Sequence, residues 1–155
     1  LEYAQLLSTA HRVLDGIEYT DKTANGRSIK RWRLEDQAFE NQLYKATHIN
    51  HPSAVWVRQS NNNYNWLMCL FQSLLTEYTH RYGKIHATDR LVYFLRKPPK
   101  NIPVSHLTQP TPAMPDEYKV EDVIQSYRNY YNGSKSDFAV WKNRETPEWF
   151  RKKVN

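Results

Sequence analysis

Residues 60–84 read SNNNYNWLMCLFQSLLTEYTHRYGK, and this stretch decides the fold. Its large apolar side chains recur at spacings of three and four residues, which is the period of a helix that buries one face. Ser60 and the asparagines after it are capping residues, and Gly83 is a typical helix stop. The stretch therefore predicts a core helix from about Tyr64 to Tyr82. The residues expected on its inner face are Tyr64, Leu67, Leu70, Phe71, Leu74, Leu75, Tyr78 and Tyr82.

A second amphipathic helix is predicted at the start of the sequence, over Leu1–Ile17. Its apolar residues also recur at three- and four-residue spacing, and Gly16 marks its end. At about 100° per residue, one flank of its apolar stripe carries polar side chains. Those side chains are Glu2, Gln5, Thr9 and Arg12.

Residues 18–33 contain Asn25-Gly26, the dipeptide best suited to a tight turn with positive φ. The segment after the turn, residues 27–33, is termed the basic arm. It carries four cations around Trp32, namely Arg27, Lys30, Arg31 and Arg33. Two interpretations stay open. The segment is either a solvated loop or small hairpin, or a wing that binds phosphates while Trp32 packs beneath it or stacks on a base.

The sequence on either side of the core helix predicts shorter elements. Residues 34–47 predict a helix with Leu34, Ala38, Leu43 and Ala46 inward, and residues 52–59 predict one or two helical turns. Six of the eight prolines lie between residues 98 and 115, which excludes helix and central strand and predicts an extended surface arm.

The C-terminal part predicts a helix from about Val120 to Tyr131, stopped at Asn132-Gly133. A short helix through Phe138 and Trp141 would follow, capped by Ser134 or Ser136, with a last turn at residues 146–148. Its run of Tyr and Trp residues is compatible with a place in the core, with a platform on which bases stack, or with a protein interface. We expect Tyr127, Tyr131 and Trp141 to be core.

These elements predict an all-α fold in a single domain over residues 1–155, with at most one small hairpin. Residues 97–115 form its proline-rich surface arm, and residues 116–155 form a C-terminal helical and aromatic segment. The length suffices for a hydrophobic core.

The charge balance favours an anionic partner, because the net charge is +6 and the pI is near 9.4. Nucleic acid is favoured over a membrane surface, since no helix is both strongly basic and strongly apolar. No bilayer-spanning stretch or signal peptide is visible. The single cysteine, Cys69, excludes an internal disulfide and suits a reducing compartment, so we expect the cytoplasm of a bacterium or phage-infected host, or else a virion.

Few residues suggest cofactor or metal chemistry. The sequence has no glycine-rich phosphate loop, no Gly-x-Ser-x-Gly and no paired Cys-x-x-Cys, and we predict no cofactor. Cys69 is expected to be a small buried hydrophobic residue. The histidines that merit consideration as metal ligands are His48, His51, His80 and His86. They lack a clear ligand cluster, so turn capping, packing or phosphate contact is the preferred interpretation, and no metal is predicted.

An ordered set of residues resembles a known family. Asn50-His51-Pro52 is followed by Trp56, by Tyr64 and Leu67 on the core helix, and then by Glu77-Tyr78, Arg81 and Gly83. Together with residues 1–7, LEYAQLL, this order is similar to that of the pyrimidine-dimer DNA glycosylases, small all-helical repair enzymes of phages and bacteria. The resemblance covers residues 1–15 and 48–86, about a third of the chain.

The resemblance implies a specific chemistry. Members of the family extrude a base from the duplex, attack the sugar C1′ with an N-terminal α-amine, and cleave the resulting Schiff base by β-elimination. Glu2 matches the helix glutamate that assists this chemistry and is the candidate catalytic residue. The candidate DNA contacts, from the resemblance and the basic arm together, are Arg12, Arg27, Lys30, Arg31, Arg33, His51, Arg81 and Lys84. They predict a basic groove between the first helix, the basic arm and the end of the core helix.

One departure from the family bears on mechanism. The nucleophilic amine of the family lies well before the helix glutamate, whereas one residue precedes Glu2 in this sequence. We expect that the segment carrying it is missing from this sequence, or that the chemistry is lost.

Three functions stay open, all with double-stranded DNA as a partner. The first is a DNA N-glycosylase and AP lyase that acts on damaged or modified pyrimidines. The second is a non-catalytic nucleic-acid-binding or virion-associated phage protein, with a protein partner on its aromatic C-terminal region. The third is an enzyme of DNA base hypermodification.

Overall fold

The computed structural model describes residues 2–151. Its regular elements are α1 Glu2–Asp15, β1 Ile17–Lys22, β2 Ser28–Arg33, α2 Gln37–Gln42, α3 Pro52–Val57, α4 Asn61–Tyr82, α5 Val92–Leu95 and α6 Val123–Asn132. Two short 3₁₀ turns, Ala87–Leu91 and Asp116–Tyr118, complete them. The prediction of an all-α fold is wrong, because the chain contains both helices and a two-stranded antiparallel sheet.

The sheet forms because its turn residues suit a tight turn and the register of its two strands ends at that turn. Ile17 pairs with Arg33 and Lys22 with Ser28, so the register closes on the residues around Asn25-Gly26. Gly26 has φ 77°, a conformation that glycine adopts without strain. Trp32 is buried beneath the hairpin, and a Cβ on Gly16 would lie 3.0 Å from the Trp32 Cβ. The hairpin therefore packs against the C-terminal end of α1, with Trp32 beneath it. A small hairpin was one expectation for this segment, and its binding of phosphates stays a prediction.

The core helix α4 begins earlier than predicted and ends where predicted. The Ser60 Oγ accepts from the Asn63 N–H at 3.0 Å and so caps its N-terminus. Gly83, at φ 65°, donates its N–H to the Thr79 carbonyl at 2.8 Å. The second half of the helix is less covered than expected, with Leu74 and Tyr82 exposed. Cys69 is exposed, so its prediction as a buried residue is wrong.

The core lies where α1 crosses α3 and α4. Its largest fully buried apolar side chains come from α1, α3, α4 and residues 91–95, and burial of each contributes about 1.5–3 kcal/mol. They are Leu7, Val57, Tyr64, Phe71, Leu91 and Leu95. The core therefore joins the N-terminal helix to the segment just before the proline-rich arm.

The proline-rich arm runs extended over the surface, as predicted, and the asparagines at the start of α4 bind it. The Asn61 N–H donates to the Pro103 carbonyl at 2.9 Å, and the Asn61 Oδ1 accepts from the Ser105 N–H at 3.0 Å. Asn62 Nδ2 donates to the Ser105 carbonyl at 2.6 Å. These residues were predicted only as helix caps, and their main contacts are with the arm.

Two predicted helices are shorter than expected or absent. In residues 34–47 only Gln37–Gln42 is helical, and Ala38 is exposed. The chain becomes extended at Leu43, with ψ 144°, because the buried Arg12 binds the carbonyls that follow α2. No helix occurs in the described residues 133–151, so the predicted helix through Phe138 and Trp141 is wrong. The predicted last turn is present, and the Phe150 N–H donates to the Pro147 carbonyl at 2.9 Å.

Among the described helices, none combines the length and the apolar character needed to cross a bilayer.

Candidate functional site

Helix α6 separates two adjoining clefts in the described part of the chain. The first, termed the apolar cleft, has a volume of about 570 Å³ and lies between α1, α3, α4, the proline-rich arm and α6. It is lined by Tyr3, Leu6, Ser53, Trp56, Trp66, Leu67, Leu70, Leu107, Thr108, Gln109, Pro110, Thr111, Val123, Ile124 and Tyr127. A cavity of this size and character suits a small organic group.

The second, termed the aromatic-basic cleft, has a volume of about 640 Å³ and lies between the end of α4, α6 and the C-terminal segment. It is lined by Arg81, Ile124, Tyr127, Arg128, Tyr131, Phe138, Ala139, Val140, Trp141 and Trp149. Ile124 and Tyr127 line both clefts, so the two are neighbours across one turn of α6. None of the residues that line either cleft is acidic.

Aromatic rings build the wall of the aromatic-basic cleft. Trp141 and Trp149 pack edge to face with centroids 5.9 Å apart, and Tyr131 packs against Trp149 at 6.3 Å. The Arg128 guanidinium lies 5.7 Å from the Trp149 ring centroid. Tyr127 and Tyr131 are 37% and 39% exposed, so the prediction that they are core is wrong. Ser126 is the only buried residue of α6, and the exposed rings of Tyr127 and Tyr131 are available for stacking.

Glu77 joins this wall to the core helix. Its carboxylate accepts from Arg81 Nε at 2.7 Å and from Arg144 Nη2 at 2.9 Å. The bonds from Arg144, and secondly those from Arg81, lower the pKa of Glu77 to about 2. Arg81 also donates to the Val140 carbonyl at 3.3 Å. The predicted phosphate contact Arg81 therefore lies in the cleft wall, where it also holds the C-terminal segment.

The apolar cleft combines rings with a few polar groups. Trp56 and Trp66 pack edge to face at 5.7 Å, and the Trp56 Nε1–H donates to the Thr108 Oγ1 at 3.0 Å. The Gln109 side chain is exposed and makes no hydrogen bond to any described residue. Burial, and then the nearby Tyr127, Tyr131 and Glu2, raise the pKa of Tyr3. The cleft thus presents aromatic faces and one free amide.

Glu2, the candidate catalytic residue, lines neither cleft. It is exposed in the first turn of α1, and the residue after it, Tyr3, lines the apolar cleft. The basic arm lies beyond the other end of α1, about 20 Å away for a helix of this length. Neither cleft includes a residue of the hairpin, so the predicted groove between α1, the basic arm and the end of α4 corresponds to neither of them.

Arg12, predicted as a DNA contact, is 2% exposed and its five N–H groups are all bonded. Nε donates to the Tyr44 carbonyl at 2.6 Å. The Nη groups donate to the carbonyls of Trp32, Glu40 and Leu43 at 2.9–3.0 Å and to the Glu40 carboxylate at 2.5 Å. No donor remains for a phosphate. Arg12 instead joins α1 to β2 and to the segment after α2.

The cations of the basic arm differ in whether their side chains are already bonded within the protein. Arg27 and Arg33 are exposed. Lys30 pairs with Glu18 at 2.9 Å on the neighbouring strand, and Arg31 donates to the Ala46 carbonyl at 3.2 Å. The structure brings these residues together on one hairpin, apart from Glu2.

His51 and Lys84 lie at helix ends. The His51 Nδ1 accepts from the Ser53 N–H at 3.2 Å and caps α3, and Lys84 is exposed just beyond Gly83. The other histidines proposed as ligands bond separately, His80 to the Asn143 carbonyl and His86 to Thr88. Within residues 2–151, no three His, Cys, Asp or Glu side chains come together as metal ligands.

Sequence reasoning missed several residues that line the clefts. Arg128 and Trp149 were part of an aromatic run with no assigned function, and Gln109 lies in an arm defined only by its prolines. The sequence signal was the alternation of Tyr, Trp and cations after residue 126, which favours an exposed aromatic surface over a core.

Comparison with protein-family models, with curated proteins and with solved structures finds no match to this chain.

Proposed function

We propose that the protein binds double-stranded DNA and acts on a damaged or modified pyrimidine swung out of the helix, as an N-glycosylase and AP lyase. The observation that supports it best is the pair of adjoining clefts. One carries aromatic rings and two guanidinium groups, and the other is apolar and is lined by Tyr3, the residue that follows Glu2 in α1.

The aromatic-basic cleft suits distorted DNA for energetic reasons. Extrusion of a base costs a few kcal/mol of stacking and pairing, and a protein aromatic face returns about 1–3 kcal/mol per base. Arg128 supplies positive charge beside the rings, and guanidinium groups bind phosphates through paired N–H donors. Arg81 lies in the same cleft, where Glu77 accepts from its Nε. The net charge of +6 attracts the polyanion over a longer range.

Glu2 supplies the acid–base group of the proposed chemistry. An exposed carboxylate near a cleft can take a proton from an attacking amine and return one to the sugar. In the chemistry that the resemblance implies, an N-terminal α-amine forms the bond to C1′ as the base leaves with its electron pair and takes up a proton. The C1′–O4′ bond then opens with protonation of O4′ to give the Schiff base, and loss of a C2′ proton expels the 3′ phosphate. In this scheme the rings hold the strand while Glu2 moves protons.

A second candidate function is non-catalytic nucleic-acid binding. It is favoured by the position of Glu2, whose side chain is exposed and makes no hydrogen bond to a described residue that would orient it. Catalytic carboxylates are usually held in place by neighbours.

Borohydride trapping on duplex DNA distinguishes the two functions. The substrates are duplexes with an abasic site or a cyclobutane pyrimidine dimer, tested with this chain and with the product of its complete reading frame. A covalent adduct that is lost in Glu2→Gln but kept in Gln5→Ala supports the lyase. Salt-dependent binding with no adduct from either protein assigns the non-catalytic function. No DNA binding at low salt overturns both.

A further inference from the structure

The apolar cleft has a feature that DNA binding alone does not require, which is a free amide among aromatic side chains. Gln109 lines the cleft from the proline-rich arm, while Trp66 lines it from α4 and Tyr127 from α6. Trp66 is 40% exposed and Tyr127 37% exposed, so both rings present surface to an occupant. The amide has a donor and an acceptor next to each other.

We propose that the apolar cleft is the subsite for one extruded pyrimidine, and that Gln109 recognises its Watson–Crick edge. This inference rests on the proposed function and names the subsite of the substrate base. Cytosine presents N3 and N4, and thymine presents N3 and O4, each a donor beside an acceptor. A rotatable amide matches either pair, while Trp66 and Tyr127 replace the stacking that the base loses.

Size and charge favour a nucleotide over other occupants. A volume of about 570 Å³ is in the range of pockets that hold small ligands. The cleft adjoins Arg128 and has no acidic lining residue, so Arg128 can meet a phosphate next to the base. Arg81 also lies nearby, but it is paired with Glu77 at 2.7 Å. A second copy of this chain would bring another net charge of +6 against the same surface, which disfavours self-association.

The position of Gln109 next to Thr108 supports a fixed subsite. Thr108 is bonded to Asn63 at the start of α4 by its N–H at 2.9 Å, and its Oγ1 accepts from Trp56 at 3.0 Å. The backbone that carries the Gln109 amide is therefore attached to the helices that carry the rings. Because this backbone is already held, less backbone entropy is lost when the Gln109 side chain binds a ligand.

The test uses a duplex with pyrrolo-cytosine, a fluorescent pyrimidine whose emission rises when it leaves the stack. Two variants with the same change of charge are compared, Gln109→Glu in the cleft and Gln59→Glu at the exposed end of α3. In Gln109→Glu a carboxylate oxygen replaces the amide donor, so an acceptor of the protein faces the acceptor on the edge of the base. We expect the extrusion equilibrium to fall about tenfold with Gln109→Glu and to be unchanged with Gln59→Glu, relative to the wild type.

A second variant, Trp66→Leu, tests the stacking part, with Tyr93→Leu on α5 as its control. We expect the emission change to fall in Trp66→Leu while affinity for an undamaged duplex is kept. Wild-type binding without an emission rise, or equal effects of the two glutamate variants, would overturn the subsite and leave DNA binding intact. If the wild type dimerises and Trp66→Leu abolishes the dimer, the cleft is a self-association surface, and this outcome also overturns the subsite. No duplex binding by the wild type would overturn the proposed function with it.

Discussion

Asn63 and Thr108 form paired hydrogen bonds although 45 positions separate them in the sequence. The Asn63 Oδ1 accepts from the Thr108 N–H at 2.9 Å, and the Asn63 Nδ2 donates to the Thr108 Oγ1 at 3.0 Å. The same amide donates to the Trp56 carbonyl at 3.0 Å. A single buried side chain therefore positions the proline-rich arm, α3 and one wall of the apolar cleft.

Replacement of Asn63 by alanine is expected to destabilise the protein by about 2–3 kcal/mol. Asn63 is fully buried, and its loss leaves the Thr108 N–H without its partner and removes one of the two donors to the Trp56 carbonyl. Urea unfolding measures the change. Asn62→Ala is the matched control, because Asn62 is exposed and makes one bond to the same arm. Equal midpoints for the two variants would show that the arm does not depend on Asn63.

Replacement of Arg12 by lysine is expected to lower the free energy of unfolding by about 3–5 kcal/mol, since lysine cannot supply the five donors that bind four carbonyls and the Glu40 carboxylate. Although burial alone would raise the pKa of Glu40, the Leu34 N–H and then the Arg12 guanidinium lower it. Arg27→Lys, on the exposed turn, should change the free energy of unfolding very little. A similar small effect of Arg12→Lys would contradict a structural role for Arg12.

The sequence predicted those elements whose signal is local. The period of residues 64–82 and the αL glycine at Gly83 define α4, and Asn25-Gly26 defines the hairpin turn. Arg12 was misassigned because it lies on a polar flank of α1, and its acceptors are mostly backbone carbonyls of residues 32–44. Backbone acceptors have no sequence signature, so a buried and fully bonded arginine looks like a phosphate contact.

The clefts were harder to predict for a related reason. Ile124, Tyr127 and Tyr131 have the spacing of a buried helix face, and this spacing suggested core. In the structure that face of α6 lines two clefts, and the rings stay partly exposed. Periodicity identifies which residues share a face, but what that face contacts depends on the arm and on the C-terminal segment, whose paths come from long-range bonds such as Asn63 to Thr108.

His11 is expected to make the protein less stable as the pH falls from about 6.5 to about 4. Burial lowers the pKa of His11 to about 4, opposed by Asp15 and by the Lys97 backbone, while its Nε2 lies 2.9 Å from the Tyr64 hydroxyl. The folded state therefore binds this proton less readily than the unfolded state. The full stability is present above pH 6.5, and up to about 3 kcal/mol is lost by pH 4.

Unfolding free energies measured across this range for the wild type and for His11→Asn check the prediction. We expect the variant to lose most of the pH slope between 6.5 and 4. The contribution of Glu77, whose pKa is about 2, is separable because it is lost only below pH 4.5. Identical slopes in the two proteins would mean that His11 does not titrate as described.

Arg128 is expected to contribute to DNA affinity and to its salt dependence. If its guanidinium, beside Trp149 in the aromatic-basic cleft, contacts one phosphate, Arg128→Gln should lower affinity and reduce the slope of log K against log salt by about 0.9. Arg96→Gln is the matched control, since Arg96 also lies over a ring, 4.5 Å from the Tyr93 centroid, but on α5 and outside both clefts. Fluorescence anisotropy over a salt series measures both slopes. Both changes remove one charge from an arginine stacked on an aromatic ring. A larger loss of DNA affinity from Arg96→Gln than from Arg128→Gln would therefore place the DNA-binding surface away from α6.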